Sequence, residues 1–223
     1  MWVPEPIEVS FGSNLEIMYR IKETGVWQVQ LEEKFETSLG TFTSHNEGEF
    51  GGELITPKER LYGNFEAVFE CDNTTYAIDS CDHMGVGHIN IYAFSEELDA
   101  VELYSSEKYC DNALTWVSFK GAFLTDDTAY ILSSGKIKYD YLNEDSNWIK
   151  KTYLFKLKNG KVVEQIELDY WFDWVENILI KENQLIIGMD KVVALVDLDT
   201  KKMKAYTPIS VEAEKDILKT KEY

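Results

Sequence analysis

Two stretches of this chain gather side chains able to do chemistry. Ser44-His-Asn-Glu-Gly-Glu-Phe-Gly-Gly-Glu53 places His45, Glu47, Glu49 and Glu53 close together between two apolar runs. His45, Glu47 and Glu49 have the groups needed for acid–base work or for holding a cation. The same words also read as a bulged hairpin, with Gly48, Gly51 and Gly52 serving the turn and the glutamates solvated. Asp79-Ser-Cys-Asp-His-Met-Gly-Val-Gly-His88 holds two of the chain's three histidines. Cys81, Asp82, His83 and His88 have metal-ligand chemistry there, and Cys71 and Cys110 are able to join them. The spacing argues against a metal, because there is no Cys-x-x-Cys and no pair of histidines three to five apart on a helix. The cysteines then read as small apolar residues and the remainder as a polar loop. No nucleophile context supports Cys–His catalysis. The expectation is no metal and no cofactor.

A third cluster, Asp169-Tyr-Trp-Phe-Asp-Trp174, packs four aromatics between two apolar runs. Tyr170, Trp171 and Trp174 suit a partner-binding or sugar-binding platform. They equally suit a wedge buried between sheets, and Trp116 and Trp148 share that ambiguity. No Walker A loop, Gly-x-Gly-x-x-Gly, Gly-x-Ser-x-Gly or kinase set occurs, so nucleotide-dependent and serine-hydrolase chemistry lack support.

Charge is unevenly spread. Residues 1–112 carry 22 Asp+Glu against 6 Lys+Arg, a net of −16, while the other 111 residues carry 18 against 16. Such a field repels nucleic acid and anionic membrane and draws in basic partners. It also serves plain solubility. Arg20 and Arg60 are the only arginines, and no Lys/Arg run interleaves with aromatics, which excludes the usual nucleic-acid footprint. The start lacks the pattern of a signal peptide, and no apolar run has the length of a membrane helix. With three cysteines and no export signal, reduced thiols in the cytoplasm are expected.

The elements that must position these groups are strands. From Trp174 to Pro208, the runs Val175–Lys181, Gln184–Met189, Val192–Leu198 and Met203–Thr207 are short, rich in β-branched residues and separated by Glu182-Asn183, Asp190-Lys191 and Asp199-Thr-Lys-Lys202. That pattern predicts a four-stranded meander. Looser quartets precede it. One comprises Leu15–Ile21, Val26–Leu31, Leu39–Ser44 and Gly52–Thr56, with the first two expected to form a hairpin. A second runs Phe65–Cys71, Thr75–Asp79, His88–Phe94 and Ala100–Tyr104. A third runs Leu114–Phe119, Thr128–Leu132, Thr152–Leu157 and Val162–Leu168, with Ser133–Lys151 as an enlarged loop and Asn159-Gly160 as a sharp hairpin signal. The expectation is an all-β chain forming a single domain over residues 1–208, with sets near 14–56, 65–105, 114–168 and 175–207. Residues 209–223 read as a tail or short helix.

Tyr153-Leu-Phe-Lys-Leu-Lys-Asn-Gly160, together with Leu185-Ile-Ile-Gly188 and Val193-Ala-Leu-Val-Asp-Leu-Asp-Thr200, resembles strands of bacterial β-propellers of the WD40/PQQ-like kind. The likeness covers about residues 60–208, without a Trp-Asp or Gly-His signature or a Kelch double glycine. It implies a small or incomplete propeller and no particular activity. A β-sandwich or barrel is the competing architecture.

Three functions follow. An acidic, rigid β scaffold without catalytic motifs suits a non-enzymatic binding protein, of the type of an immunity protein that neutralises a basic toxin. Glu47, Glu49 and Glu53 with Tyr170, Trp171 and Trp174 are its candidate binding residues. The enzymatic alternative is a metal-dependent hydrolase using Glu47, Glu49, Asp82, His83 and His88. The third is an assembly module that buries the aromatic cluster against a second copy.

Overall fold

The computed structural model describes residues 3–11, 14–22, 34–46, 51–83, 86–106, 113–139, 147–172, 174–189 and 192–206. Among these, eighteen strands and no helix form. The chain divides into two compact units, Gln28–Phe172 and a second made of Met1–Trp27 with Asp173–Tyr223.

In the smaller unit, β1 (Val3–Phe11) pairs antiparallel with β2 (Asn14–Lys22). Residues Leu15–Ile21 are therefore a strand as expected, but their partner precedes them in the chain. The expected partner, Val26–Leu31, lies outside the described residues. Pro4 and Pro6 hide β1 from a sequence reading, because proline demotes a strand. Standing two apart, they leave both missing N–H groups on one edge, and the ladder to β2 survives. The same unit contains β15 (Val175–Lys181), β16 (Gln184–Met189), β17 (Val192–Asp197) and β18 (Met203–Tyr206), a consecutive antiparallel meander. Leu185, Ile186 and Ile187 of β16 are all fully buried, so side chains on both faces of this strand are covered, which explains their unbroken apolar run. The loop at Glu182 has φ 52, in keeping with a tight hairpin. β2 lies alongside β15, β16 and β17.

The larger unit holds three further meanders. β3 (Lys34–Thr37), β4 (Gly40–Asn46), β5 (Gly52–Ile55) and β6 (Arg60–Tyr62) form one sheet in chain order. β7 (Phe65–Cys71), β8 (Thr74–His83), β9 (Val86–Phe94) and β10 (Ala100–Ser105) form the second; β11 (Ala113–Leu124), β12 (Ala129–Tyr139), β13 (Ile149–Lys158) and β14 (Lys161–Leu168) form the third. The last two quartets join into one sheet through a single parallel pairing, Trp116 with Gly87. Adjoining sheets share apolar faces. Phe35, Phe42 and Leu54 pack with Phe65, Val68, Ala77 and Phe94, and the Phe42 and Phe94 rings meet edge to face at 5.1 Å. Tyr104 of β10 meets Phe155 of β13 at 4.4 Å between centroids. Each such buried aromatic contributes roughly 2–3 kcal/mol of transfer free energy.

The all-β class and antiparallel meanders thus follow the expectation, and no pairing among the described residues closes a sheet into a barrel. The hairpin at Asn159 (φ 51) and Gly160 (φ 66) is the type I′ turn that Asn-Gly predicts. Two expected loops are corrected. β12 runs through Ser133-Ser-Gly135 to Tyr139, and β13 begins at Ile149, so most of the described residues of Ser133–Lys151 are strand, while residues 140–146 lie outside the described residues. Gly135 is in the sheet because nothing larger fits, since a Cβ there would stand 1.8 Å from the Trp116 carbonyl oxygen. Likewise Asp79–His83 lie in β8 and Val86–His88 in β9, paired rung by rung, not in a polar loop. The expected tail at 209–223 lies outside the described residues, and no described helix is long and apolar enough to cross a membrane.

Candidate functional site

β8 carries two carboxylates that the fold surrounds differently. Asp79 stands opposite Phe65 of β7 and Asn90 of β9. Its Oδ1 accepts the Asn64 N–H at 2.7 Å and lies 3.3 Å from His88 Nε2, while Oδ2 accepts Asn90 Nδ2 at 2.8 Å. A side chain on Gly63 would strike this carboxylate, with its Cβ 2.9 Å from Asp79 Cγ. Burial opposes ionisation of Asp79, but the bonds from His88 and Asn90, the His88 charge and the Asn64 N–H outweigh it and hold the carboxyl below its ordinary range.

Asp82, three residues on, turns to β11. It accepts the Trp116 indole N–H, Ser118 Oγ at 2.8 Å and Lys120 Nζ at 3.1 Å. Burial again works against its charge, and these donors together with Lys120 overcome that to lower its pKa. The parallel pairing between β9 and β11 is a single rung, so side chains supply further links: Ser80 Oγ accepts the Phe119 N–H at 2.9 Å, and Asp82 ties three β11 residues.

Glu66 and Lys120 occupy matching irregularities. The β7–β8 register shifts between Phe65 and Ala67, and the β11–β12 register shifts between Phe119 and Gly121. Each charged residue is the extra one of its bulge, a device that re-aims a side chain out of the strand's alternation. Glu66 is half-buried, and burial pushes its carboxyl up to about 7, aided by Asp82 and Asp79 and countered by Lys120 and His88. The proton that native Glu66 retains between pH 4.5 and about 7 makes folding more favourable in acid, and this contribution is lost as pH rises through 7. Glu66→Gln should therefore raise stability at pH 8 by up to about 3 kcal/mol and leave it unchanged at pH 4. Urea unfolding at the two pH values would measure this.

No protein-family model and no curated protein matches this chain.

The polar strip continues across the third meander. Ser118, Ser134 and Thr152 are successive cross-strand partners on β11, β12 and β13. Phe172 N–H donates to Ser134 Oγ at 2.7 Å, the two hydroxyls of Ser134 and Thr152 are 2.6 Å apart, and Thr152 Oγ1 donates to the Tyr170 carbonyl at 2.9 Å. This relay straps the aromatic segment over the sheet and buries Phe172. The next row is Trp116, Lys136 and Lys150, again cross-strand partners. Lys136 Nζ lies 4.0 Å from the centroid of Trp171 and 5.1 Å from that of Trp116, and Lys150 Nζ lies 5.8 Å from Trp171.

The sequence candidates distribute as follows. Cys81, Asp82 and His88 do not converge: Cys81 stands opposite His88, His88 meets Asp79, and Asp82 serves β11. Among the described residues, no three His, Cys, Asp or Glu side chains gather as a metal ion requires. The side chain of His83, all of Glu47 and Glu49, and Cys110 lie outside the described residues. His45, at the end of β4, is exposed opposite Glu53, which pairs with Arg60 at 3.2 Å. Tyr170 and Trp171 are partly buried on the third meander, whereas Trp174 belongs to the other unit and is 59% exposed. Glu66, Lys120, Lys136 and Lys150 were not singled out from the sequence. The one visible signal was a charge inside an apolar run, as in Phe65-Glu-Ala-Val-Phe69.

Proposed function

We propose that this protein is a non-enzymatic scaffold that docks a basic protein, of the immunity or inhibitor type, with its successive meanders arranged as blades of a small propeller. The observation that carries the reading is the second meander. Between Arg60 and Lys108 the chain has no Lys or Arg, yet it places Glu66, Glu70, Asp72, Asp79, Asp82, Glu96, Glu97, Asp99 and Glu102 on β7–β10 and their turns. Nearby cations offer little relief, because Lys58, Arg60 and Lys120 are already bonded to Asp99, Glu53 and Asp82. Glu36, Glu59, Glu96, Glu97 and Glu102 stand exposed. A surface of one sign speeds encounter with an oppositely charged partner and fixes its orientation. The buried, unbridged thiol of Cys71 suits a reducing compartment.

The test is capture from the native host by the wild type and by a variant with Glu96, Glu97 and Glu102 changed to lysine. The expected result is a basic protein whose affinity for the wild type falls by more than about tenfold between 0.05 M and 0.5 M salt, and which the variant fails to retain. Retention that ignores both salt and the charge reversal would refute the reading.

A further inference from the structure

The strand β14 stops early. Its last residue, Leu168, pairs with Thr152, although β13 continues back to Ile149 along β12. Continued straight, the chain would run beside Lys151, Lys150 and Ile149. It bends instead at Asp169 and crosses the sheet face, carried by the Thr152–Tyr170 and Ser134–Phe172 bonds. Among the described residues, no backbone bond occupies the vacated edge of Ile149–Lys151. That edge is open to solvent, with Trp148 40% and Ile149 43% exposed.

Among the described residues, Lys151 of this edge pairs with Glu167 and Asp169, whereas Lys150 and its neighbour Lys136 meet no carboxylate. Lys136 and Lys150 stand directly opposite each other on adjacent strands, an unfavourable arrangement for like charges. Lys58, Lys120, Lys151 and Lys158 each have a carboxylate partner, whereas Lys136 and Lys150 have only indole faces among the described residues. Trp171 lies against both ammonium groups and fixes them on one face of the sheet. A strand added in line with β14 would sit about 4.8 Å from β13 and present every second side chain on that same face. A carboxylate opposite Lys150 would complete the row, and an apolar neighbour would cover Ile149 and Trp148.

We propose that the Ile149–Lys151 edge of β13 is a docking site for an extended acidic segment of a partner protein, which adds as a short antiparallel or parallel strand with its carboxylates facing Lys150 and Lys136. Main-chain bonds supply attraction, and the lysine pair selects the charge. This surface is independent of the carboxylate-rich second meander, so a basic partner there and an acidic segment here are separate events.

The test titrates the full chain with an acetylated, amidated pentapeptide of alternating Glu and Val, following Trp fluorescence and backbone amide shifts by NMR. Saturable binding that moves the amides of Ile149–Lys151 is expected, weakened at least about fivefold by Lys150→Ala and about fivefold by N-methylating the peptide. Lys161→Ala, at the far turn of β14, should leave binding unchanged, and identical melting of the Lys150 variant excludes a folding defect. Equal binding of a Lys/Val peptide, indifference to N-methylation, or full competition by millimolar inorganic phosphate would each overturn the proposal. The last would reduce the site to a simple anion contact.

Discussion

Gly135→Ala is expected to cost more than about 4 kcal/mol and to leave little folded protein at 37 °C. The reason is contact with backbone, which cannot step aside. A methyl group at this position would lie 1.8 Å from the Trp116 carbonyl oxygen and 2.7 Å from the Val117 Cα. Gly135 pairs with Val117 on one side and Lys151 on the other, so relief requires separating β12 from β11 along the strip that holds Ser118, Ser134 and Thr152. Gly160→Ala provides the control. There φ is +66 and the nearest side-chain atom would be 3.7 Å away, so the cost is conformational only, about 1 kcal/mol. Thermal and urea unfolding of the two variants should separate them clearly. Similar midpoints would mean that the sheet yields at Trp116.

Asp79→Ala is expected to destabilise by about 4 kcal/mol, because it strands three groups arranged around one carboxylate. The Asn64 N–H, the Asn90 amide and His88 would lose their partner in a site where Asp79 itself is only 6% exposed. The loss should depend on pH. A carboxyl held below its ordinary range contributes stability that is present above the unfolded pKa and lost as pH falls through the folded one. The gap between wild type and variant should therefore narrow as pH falls through the carboxylate range. Asp79→Asn, which preserves shape and one acceptor, should cost about half as much. A gap that persists undiminished in strong acid would show that shape, and not charge, is what Asp79 supplies.

Much of the fold could be read from the chain because it is written in local patterns. Val175–Lys181 and Gln184–Met189 alternate with two-residue breaks, and their strands begin and end at those residues. The failures have a common cause. Ser133-Ser-Gly135 and Asp79-Ser-Cys-Asp82 have the composition of turns, yet they lie within strands because a neighbouring backbone or ring needs small or polar residues beside it. Only the partner strand reveals that need. Asp79, Asp82 and His88 were recognisable as chemically able, but the fold assigns them to two separate networks. Glu66 and Lys120 were hidden more deeply. A bulge is a property of register between two strands, and neither strand alone announces it. Lys136 and Lys150 lie 14 residues apart and become neighbours only through β12 and β13.

The one-rung junction between β9 and β11 has a consequence for how force and disorder spread. A sheet resists shear in proportion to the rungs loaded together, and here a single bond pair with a few hydroxyl and indole struts must bear what the long antiparallel ladders on either side share among many. The larger unit is thereby scored along one line, like paper creased before tearing. Loosening on the lysine side of the crease can stop there, leaving the carboxylate-bearing side standing.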